Sequence, residues 1–299
     1  MSHDRRPLSF YLLAAFFALF VLFLYGPTLT VLLLSFQGPD GGLTFPMQGV
    51  STFWFAKLME GVGVVDIWAA FRRSLRLGLV VMVITVVFSV AAGLAYRRRF
   101  IGASGLFYVT VASLIVPSIV VSLGIGLGFR LLDGWLVEVG GWLGLDMGQF
   151  TTSMGLFTSA LGAHLTWTLP FGLLIMFAVF NRFDPSYEEA ARDLGASNWQ
   201  TFRHVVLPII APSLIGVGLF GFTLSYDELA RSSQAAGDLN TLPLELQGLT
   251  TTVTTPEIYA LGTVTTAVSF AFIFSALGIA SWLRRRQARR GSDAGQGMV

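Results

Sequence analysis

The chain has 299 residues, of which 54% are hydrophobic and 12% are charged, with a formal net charge of +2. Soluble domains carry about 25% charged residues, so this composition indicates a membrane protein. Cysteine is absent, which excludes disulfides, cysteine-based metal sites and a cysteine nucleophile. The arginines stand at the ends of apolar runs and form no separate basic domain, which argues against nucleic-acid binding.

Six apolar stretches are long enough to cross a membrane as helices, which requires about 20 residues each. In chain order they cover residues 8–36, 74–96, 105–131, 154–180, 211–230 and 258–283. Their uniform apolarity favours helices over barrel strands, in which polar and apolar residues would alternate. The first stretch is too long for the core of a signal peptide, so we expect it to remain as a span. The predicted fold class is an all-α polytopic membrane protein with six transmembrane helices.

The distribution of lysine and arginine predicts that both termini lie in the cytoplasm. In that topology the cytoplasmic segments hold 13 of the 19 basic residues, as the positive-inside rule expects. The outer segments hold the other six, together with 11 of the 17 acids, and so carry a net negative charge. Arg72, Arg73 and Arg76 fall on the outer side and form a local exception.

One long outer loop is predicted between the first two spans, over residues 37–73. It opens with the turn-rich sequence QGPDGG and continues to STFWFAKLME. The second sequence is compatible with a short interfacial helix that places Trp54 and Phe55 at the depth of the lipid headgroups. An irregular loop that covers the bundle is the alternative, and the sequence leaves both open.

A charged segment that begins at Asp184 interrupts the apolar chain and reads DPSYEEAARDLGASNWQTFRHVVLPIIAP. Asp184 followed by Pro185 is typical of a helix start, and Ser186 with Glu189 offers an alternative capping box. Gly195 is a natural end for this helix, because a C-terminal cap often needs a left-handed residue. On the predicted topology the helix lies at the cytoplasmic surface of the membrane.

A second short helix is predicted after that glycine. Ser197 and Gln200 form a further capping-box pattern, and the helix is expected to run to about Val206. Pro208 and Pro212 are expected to end it and to start the next span. The segment then forms two helices around a glycine elbow, which either fit the groove of a partner or remain solvated. A DNA-binding helix-turn-helix is disfavoured, because both ends are tethered to spans.

The charged segment carries a long motif at fixed spacing: Glu189-Ala190-Ala191, three residues, Gly195, nine residues, and then Val205-x-Leu207-Pro208. This spacing resembles the EAA loop of ABC-importer permeases, with valine where isoleucine is commoner. In that family the loop is the coupling helix that docks on the ATP-binding subunit. The resemblance implies that nine residues couple this chain to such a subunit: Glu188, Glu189, Ala190, Ala191, Asp193, Leu194, Gly195, Leu207 and Pro208.

Other stretches are similar to the spermidine/putrescine permease subunits of the same family. They read LSYDELARSS, LPLELQG and TPEIYALGT, and they lie toward the C-terminus. A further stretch, SLIVPSIVVSLGIGL at 113–127, resembles the third-span region of ABC-importer permeases in general. The resemblance covers about residues 74–283 and implies a type I importer permease of six helices with a cytoplasmic coupling helix. It divides the chain into three parts: 1–73, the first transmembrane helix and outer loop; 74–283, the permease core with five helices and the EAA loop 184–208; and 284–299, a basic cytoplasmic tail.

The resemblance implies a permease subunit of an ATP-driven importer in the bacterial inner membrane, which passes a polyamine or another organic cation into the cytoplasm. Permeases of the family for iron, thiamine, phosphonates or opines remain alternatives, as do a self-sufficient carrier and a membrane enzyme. The implied partners are two ATP-binding subunits, a second permease subunit that is a paralogue, and a periplasmic or lipid-anchored solute-binding protein. No cofactor and no nucleic acid are implied.

The chain lacks the motif of an ATPase. Its single lysine, Lys57, follows STFWFA and so cannot belong to a P-loop, which leaves ATP hydrolysis to a partner subunit. The pattern GVGLFG at 216–221 lies within an apolar span, and Gly124 with Gly128 forms a GxxxG pair, so we expect both to serve helix packing. His164, in the fourth span, is expected to be buried and hydrogen-bonded.

Two carboxylates stand near the outer end of the fifth predicted span, where they are costly unless they face water or a partner. One hypothesis is that Asp227 and Glu228 line the outer part of the solute pathway and attract a cation, with Tyr226 adding a cation–π face. The alternative is that they lie in the outer interface and pair with Arg231, which suits i, i+4 spacing. The sequence leaves both open.

Overall fold

The computed structural model of the protein describes residues 7–61, 66–252 and 255–296. Within those ranges the secondary structure is helical, apart from an isolated bridge between Gln37 and Val50. The α-helices are Leu8–Leu34 (α1), Phe53–Glu60 (α2), Ile67–Tyr96 (α3), Ala103–Ala112 (α4), Ser118–Trp142 (α5), Leu161–Asn181 (α6), Ser186–Asp193 (α7), Asn198–Thr201 (α8), Leu207–Tyr226 (α9), Leu242–Thr252 (α10) and Glu257–Gln296 (α11). Two π-helical turns, Leu156–Ala160 and Phe202–Val206, lead directly into α6 and α9.

Six helical stretches among the described residues are long and apolar enough to cross a membrane, which confirms the predicted fold class. They are α1, α3, α5, α6 with its preceding turn, Asn198–Tyr226, and Glu257–Ile279 within α11. Helices suit this role because they satisfy their backbone hydrogen bonds internally, where lipid offers no partners.

The chain divides into two compact units, Met1–Asp66 with Leu246–Phe270 and Ile67–Glu245 with Ala271–Val299. In the first unit, the apolar centre of α1 is not buried. The segment after α1 is instead fixed by polar contacts: the Tyr259 hydroxyl donates to the Leu43 carbonyl at 2.8 Å, and the Lys57 ammonium lies 2.9 Å from the Glu257 carboxylate.

The sequence left open whether STFWFAKLME forms a short interfacial helix or an irregular loop, and the structure shows the helix α2. The segment is helical, but Trp54 is only 4% exposed, and so it is not an exposed headgroup anchor. Its Nε1 donates to the Gly38 carbonyl at 3.2 Å, and the Phe55 ring packs on Phe36 with centroids 5.1 Å apart. The aromatic side chains therefore hold α2 against the residues that follow α1.

The centre of the second unit is the packing of α3, α6 and α9. Gly172 on α6 permits a close approach, because a Cβ there would collide with Ser89 Oγ on α3. Thr85 on α3 donates a hydrogen bond to Thr168 on α6, with their Oγ1 atoms 2.9 Å apart. Small residues let membrane helices approach, and short hydroxyl side chains then bond across the contact.

The two glycine patterns of the sequence behave differently. Gly221, in GVGLFG, lies against α3, where an added Cβ would stand 3.2 Å from the Met82 Cα atom, so the expected packing role is confirmed. At Gly124 and Gly128 an added Cβ would meet no described atom within 4 Å. This GxxxG pair therefore makes no close helix contact with the described residues, and its role in helix packing stays a prediction.

The prediction of one continuous span over 105–131 is wrong, because the chain breaks between α4 and α5. Pro117 lacks an N–H and disfavours the helical conformation at Val116, so α4 cannot continue through it. Ser113 Oγ lies 2.6 Å from the Thr166 carbonyl oxygen on α6, which holds the break against the bundle. The spanning helix of this region is α5, which ends at Trp142.

The predicted outer loop 37–73 is too long at its C-terminal end. Helix α3 begins at Ile67, so Arg72, Arg73 and Arg76 lie in its first turns; residues 62–65 of the loop lie outside the described chain. Arginine does not end a membrane helix, since its long side chain can carry the charge toward a polar region. The side chain of Arg73 reaches such a polar partner, because its Nε donates a hydrogen bond to the Asn240 carbonyl at 2.7 Å.

Candidate functional site: the EAA loop and a buried arginine cluster

The first helix of the EAA loop, α7, is capped as its sequence predicts. The Asp184 carboxylate accepts a hydrogen bond from the Ser186 N–H at 3.0 Å, so Asp184, rather than Ser186, supplies the cap. Hydrogen bonds from Ser186 hold the pKa of the Asp184 carboxyl below its usual range. An ionised carboxylate at this end is also stabilised by the positive end of the helix dipole.

Gly195 forms the predicted elbow, with φ of +81°. Its N–H donates to the Arg192 carbonyl at 2.8 Å, and the Ala196 N–H donates to the Ala191 carbonyl at 3.0 Å. This pair of bonds is the Schellman arrangement, which needs a left-handed residue at the position of Gly195. An added Cβ would meet no described atom within 4 Å, so the requirement for glycine is conformational and not steric.

The second helix begins at the predicted capping box but does not end where expected. The Gln200 N–H donates to Ser197 Oγ at 3.3 Å, and the Ser197 N–H donates to Gln200 Oε1 at 2.8 Å. Helix α8 then passes through the π-helical turn 202–206 into α9, so the expected end at Pro208 is wrong. A wider turn before Pro208 accommodates a residue that has no N–H and would break regular α-helical bonding.

One face of α7 is apolar and open. Tyr187, Ala190 and Leu194 are spaced three and four residues apart, which places them on one side of the helix. Ala190 is exposed, Tyr187 is 54% exposed and Leu194 is 90% exposed, while Trp199 on α8 is 63% exposed. Large apolar side chains grouped in this way on a polar segment indicate a contact surface for another protein.

The two adjacent acids of α7 are used differently. Glu188 turns toward the chain and forms an ion pair with Arg97, with a shortest distance of 2.6 Å; Arg192 lies 3.9 Å away. The hydrogen bonds from Arg97 hold the pKa of the Glu188 carboxyl below its usual range, and they raise the pKa of Arg97. Glu189 is exposed, and its carboxylate makes no ion pair with any residue that the structure describes.

A second polar site follows α9, where the chain folds back against α5 and α6. Its centre is Arg231, which is only 1% exposed. Its guanidinium donates to Ser118 Oγ at 2.7 Å and to Thr166 Oγ1 at 3.3 Å, and it lies 4.6 Å from the centre of the Trp167 ring. Glu228 completes this buried arginine cluster, with its Oε2 atom 3.4 Å from Arg231 Nη1.

The charged groups of the cluster find hydrogen-bond and ion-pair partners within the chain itself. Glu228 is 9% exposed, and its Oε1 atom accepts the Arg231 N–H at 2.9 Å. Burial lowers the pKa of Arg231, and the Glu228 carboxylate opposes that shift. His164 lies beside it, fully buried, with its ring nitrogens 2.8 Å from Ser225 Oγ and 3.0 Å from Ser232 Oγ. The expected buried, hydrogen-bonded role of this histidine is therefore confirmed.

Among the described residues, three or more histidine, aspartate or glutamate side chains are nowhere grouped in a way that could hold a metal ion. Two polar features of the described chain concern the predicted site residues: the open surface of the EAA loop and the buried ion pair of Glu228 with Arg231. The first is arranged to contact another protein, and the second is arranged to hold the segment after α9 in place.

Comparison with known proteins assigns the chain to a family. Residues 67–289 match the family of binding-protein-dependent transport system inner membrane components. The chain belongs to this family of ABC-importer permeases. The match includes α3 to α9 and the whole EAA loop, so the motif found in the sequence stands within the fold of the family.

Curated relatives match the permease over most of its length. It is 29% identical over 275 residues to the spermidine/putrescine transport system permease protein PotC of Escherichia coli (strain K12), covering 90% of this chain and 92% of that protein. It is 30% identical over 268 residues to PotC of Haemophilus influenzae, covering 88% and 94%. It is 29% identical over 264 residues to the putrescine transport system permease protein PotI of Escherichia coli (strain K12), covering 87% and 85%.

Solved transporters share the fold of the permease. A bacterial alginate ABC transporter in complex with an alginate pentasaccharide-bound periplasmic protein matches with a TM-score of 0.57 and 16% identity, covering 94% of each chain. The MetNI methionine ABC transporter, in inward-facing conformations, matches with a TM-score of 0.55 and 16% identity, covering 76% of this chain and 98% of that chain. At these identities the likeness concerns the fold.

The residues predicted to couple the permease to an ATP-binding subunit fall into three groups. Glu189, Ala190, Asp193, Leu194 and Gly195 are exposed on the EAA loop. Ala191 and Leu207 are half-buried, and Pro208 is exposed at the start of α9. Glu188 is bound to Arg97 within the chain. Their coupling role stays a prediction.

The three predicted pathway residues of the permease also separate. Asp227 is exposed and forms no ion pair with a described residue, and desolvation together with the Glu228 charge raises its pKa. The predicted ion pair with Arg231 is formed by Glu228, at i, i+3 spacing; Asp227, at i, i+4, does not take part. The Tyr226 ring stacks on Phe222, with centroids 5.4 Å apart. Its cation–π role stays a prediction.

Proposed function

We propose that this permease is one membrane half of a polyamine importer and passes putrescine, spermidine or a related organic cation from a solute-binding protein into the cytoplasm. The observation that carries the proposal is the match, at 29 to 30% identity over most of the chain, to permeases named for spermidine and putrescine. Solved transporters that share the fold are named for methionine and alginate, so the fold by itself does not determine the substrate class.

The proposed orientation of the permease in the membrane rests on the residues that meet at each end of α3. Arg97, after its last turn, contacts Glu188 of the EAA loop. Arg73, in its first turns, contacts Asn240 beyond α9. The end with the EAA loop also carries Arg98, Arg99 and several further arginines, which favours placing it in the cytoplasm. Both termini would then be cytoplasmic.

The proposed partners are two ATP-binding subunits, a second and paralogous permease subunit, and a periplasmic or lipid-anchored solute-binding protein. The open face of Tyr187, Ala190 and Leu194 supports the first of these, because no residue that the structure describes covers it. Small Ala190 would let α7 lie deep in a groove, and Glu189 is free to pair with a basic group there. The alginate transporter, which was solved in complex with a periplasmic protein, supports a binding-protein partner.

Asp227 is the carboxylate that best supports a cationic solute. It stands at the end of α9 opposite to the EAA loop, it is exposed, and its neighbour Glu228 is already neutralised by Arg231. Its raised pKa means that the folded chain disfavours the charge at this position. A cation that approaches Asp227 would relieve this cost, since opposite charges attract strongly where water is partly excluded.

We expect Asp227→Asn to lower putrescine uptake by about tenfold at limiting solute, the effect of losing about 1.4 kcal/mol of ion pairing. Because the pKa of Asp227 is raised, its charge adds no stability at neutral pH, so the variant should unfold no more easily than the parent. Uptake of labelled putrescine by the assembled transporter in vesicles measures the first effect, and thermal unfolding in detergent measures the second.

The matched control is Asp238→Asn, which neutralises another exposed acid of the same segment. It should retain the parental uptake. Equal putrescine uptake by Asp227→Asn and the parent would remove Asp227 from the pathway. Import of anions alone by the assembled transporter would overturn the polyamine proposal and leave the family assignment intact.

The purified permease alone should show no ATP hydrolysis above background, because its single lysine does not belong to a P-loop. Hydrolysis should appear when the ATP-binding subunits are added, and it should rise when the solute-binding protein and putrescine are present. Release of inorganic phosphate from a preparation checked for other subunits by mass spectrometry measures this. Robust hydrolysis by the permease alone would contradict the proposed division of labour between the subunits.

A further inference from the structure

The end of α3 is joined to the EAA loop by a two-point ion pair. Arg97 donates from Nη1 and Nη2 to the two carboxylate oxygens of Glu188, at 2.8 and 2.6 Å. Two parallel bonds of this kind fix the direction of the contact as well as its length, which a lysine could not do. The two side chains are 24% and 13% exposed, so the pair is partly shielded from water.

The same guanidinium also rests on the end of α6. It lies 5.3 Å from the centre of the Phe180 ring and 5.2 Å from that of Phe183. Both rings are almost buried and belong to a core cluster that includes Val206 and Ile210, at the start of α9. One side chain, Arg97, therefore touches α3, α6, α7 and the core beneath α9.

The surroundings of the pair allow it to move. A cavity of about 480 Å³ lies beside Arg97 and is lined in part by Tyr96, Phe177 and Asn181. The Tyr96 hydroxyl is buried and has no hydrogen-bond partner among the described residues. Aromatic rings next to an open volume can shift without a clash, whereas a close-packed contact would resist displacement.

We propose that Arg97 is a positioning residue that passes a displacement of the EAA loop into α3 and α6, through its two-point hold on Glu188. The proposal rests on the proposed function as the membrane subunit of an ATP-driven importer. In this proposal the two acids of α7 have different roles. Glu188 links the loop to α3 of its own chain, and Glu189 is available to contact the ATP-binding subunit. A rigid bidentate pair suits this task, because a push on one partner is carried to the other with little slack.

The test uses the transporter assembled with its ATP-binding subunits in vesicles, with putrescine uptake and ATP hydrolysis measured together. Arg97→Ala and Glu188→Ala should each retain hydrolysis while uptake per ATP falls about tenfold, within the range of coupling free energies between distant sites. The double variant should fall no further than either single one, because both substitutions remove the same link. Arg98→Ala, which alters an exposed neighbour without an ion pair to any described residue, is the control and should retain the parental ratio.

A second measurement does not depend on the solute. The chain has no cysteine, so Ala95→Cys, in the last turn of α3, gives a single exposed thiol. Its rate of reaction with a maleimide should change when ATP binds to the assembled transporter, and this change should disappear in Arg97→Ala. Where that variant fails to insert, Arg97→Lys replaces it, because lysine keeps the charge and loses the two-point geometry.

The proposal would be overturned by parental uptake per ATP in both single variants, or by an ATP-dependent change at residue 95 that persists without the Arg97 guanidinium. Additive losses in the double variant would also overturn it, since they would show that the two residues act separately. The proposed function fails in a different way. If the polyamine substrate is wrong, the parent transporter shows no putrescine uptake but its thiol still responds to ATP. If the chain is not the membrane subunit of an ATP-driven importer, the parent shows neither.

Discussion

Gly195→Pro should reduce solute uptake by the assembled transporter to background while the permease remains in the membrane. Proline fixes φ near −65° and has no N–H, whereas Gly195 has φ of +81° and donates to the Arg192 carbonyl. The elbow between α7 and α8 would therefore be lost. Insertion should persist, because the EAA loop before α8 lies outside the spanning helices. Uptake, membrane level and co-purification with the ATP-binding subunits measure the three effects.

A milder pair of substitutions separates backbone strain from coupling. Gly102, before α4, has φ of +86°, and an added Cβ would meet no described atom within 4 Å, as at Gly195. Alanine at either position should cost about 1–2 kcal/mol of backbone strain. We expect both variants to lose similar stability, with uptake per ATP reduced in Gly195→Ala alone. Equal uptake in the two variants, or unchanged uptake in Gly195→Pro, would remove the elbow from the coupling mechanism.

Ala190→Asp tests the contact surface without altering the elbow. Ala190 is exposed on the open face of α7, so a charge there should leave the folded chain intact. In a groove of the ATP-binding subunit the same carboxylate would be buried without a partner, which is strongly unfavourable. Uptake should fall to background and co-purification should weaken, whereas Ala190→Ser, which keeps the small size, should retain both. Retained uptake in Ala190→Asp would show that this face is not buried in the assembly.

The parts of the fold that the sequence predicts are those set by local physics. Apolar length predicts six spans, and the cap at Asp184, the elbow at Gly195 and the box of Ser197 with Gln200 depend on neighbours a few residues away. The effect of a proline is harder to predict, because it depends on how the surrounding chain packs. Pro117 separates two helices, whereas the chain passes through a π-helical turn and continues past Pro208. A single sequence carries no signal for choosing between these outcomes.

The contacts that position the candidate sites join residues far apart in the chain. Arg97 and Glu188 are 91 residues apart, and Arg231 is 113 residues from Ser118 and 65 from Thr166. Each of these residues is ordinary in its own stretch of sequence, so composition and spacing give no sign of the pairing. Only the ion pair of Arg231 with the nearby Glu228 could be predicted from spacing, and spacing did not distinguish Glu228 from the adjacent Asp227.

Glu228→Gln should lower the free energy of unfolding of the permease by about 3 kcal/mol, because it leaves the buried Arg231 charge without its counter-ion. The contacts of Arg231 with Ser118, Thr166 and Trp167 remain, which is why we expect the lower end of the usual range of about 3–5 kcal/mol. Thermal unfolding in detergent, compared with Asp227→Asn as the exposed neighbouring acid, measures the difference.

The double variant Glu228→Gln with Arg231→Met should be more stable than Arg231→Met alone, because the latter leaves the Glu228 carboxylate buried without its counter-ion. A favourable coupling free energy between the two substitutions would show that the ion pair of Glu228 with Arg231 holds the segment after α9 against α5 and α6. Parental stability in Glu228→Gln, with putrescine uptake lowered as in Asp227→Asn, would give the opposite assignment. Glu228 would then act on the solute, and the ion pair with Arg231 would be one that the transporter opens during its cycle.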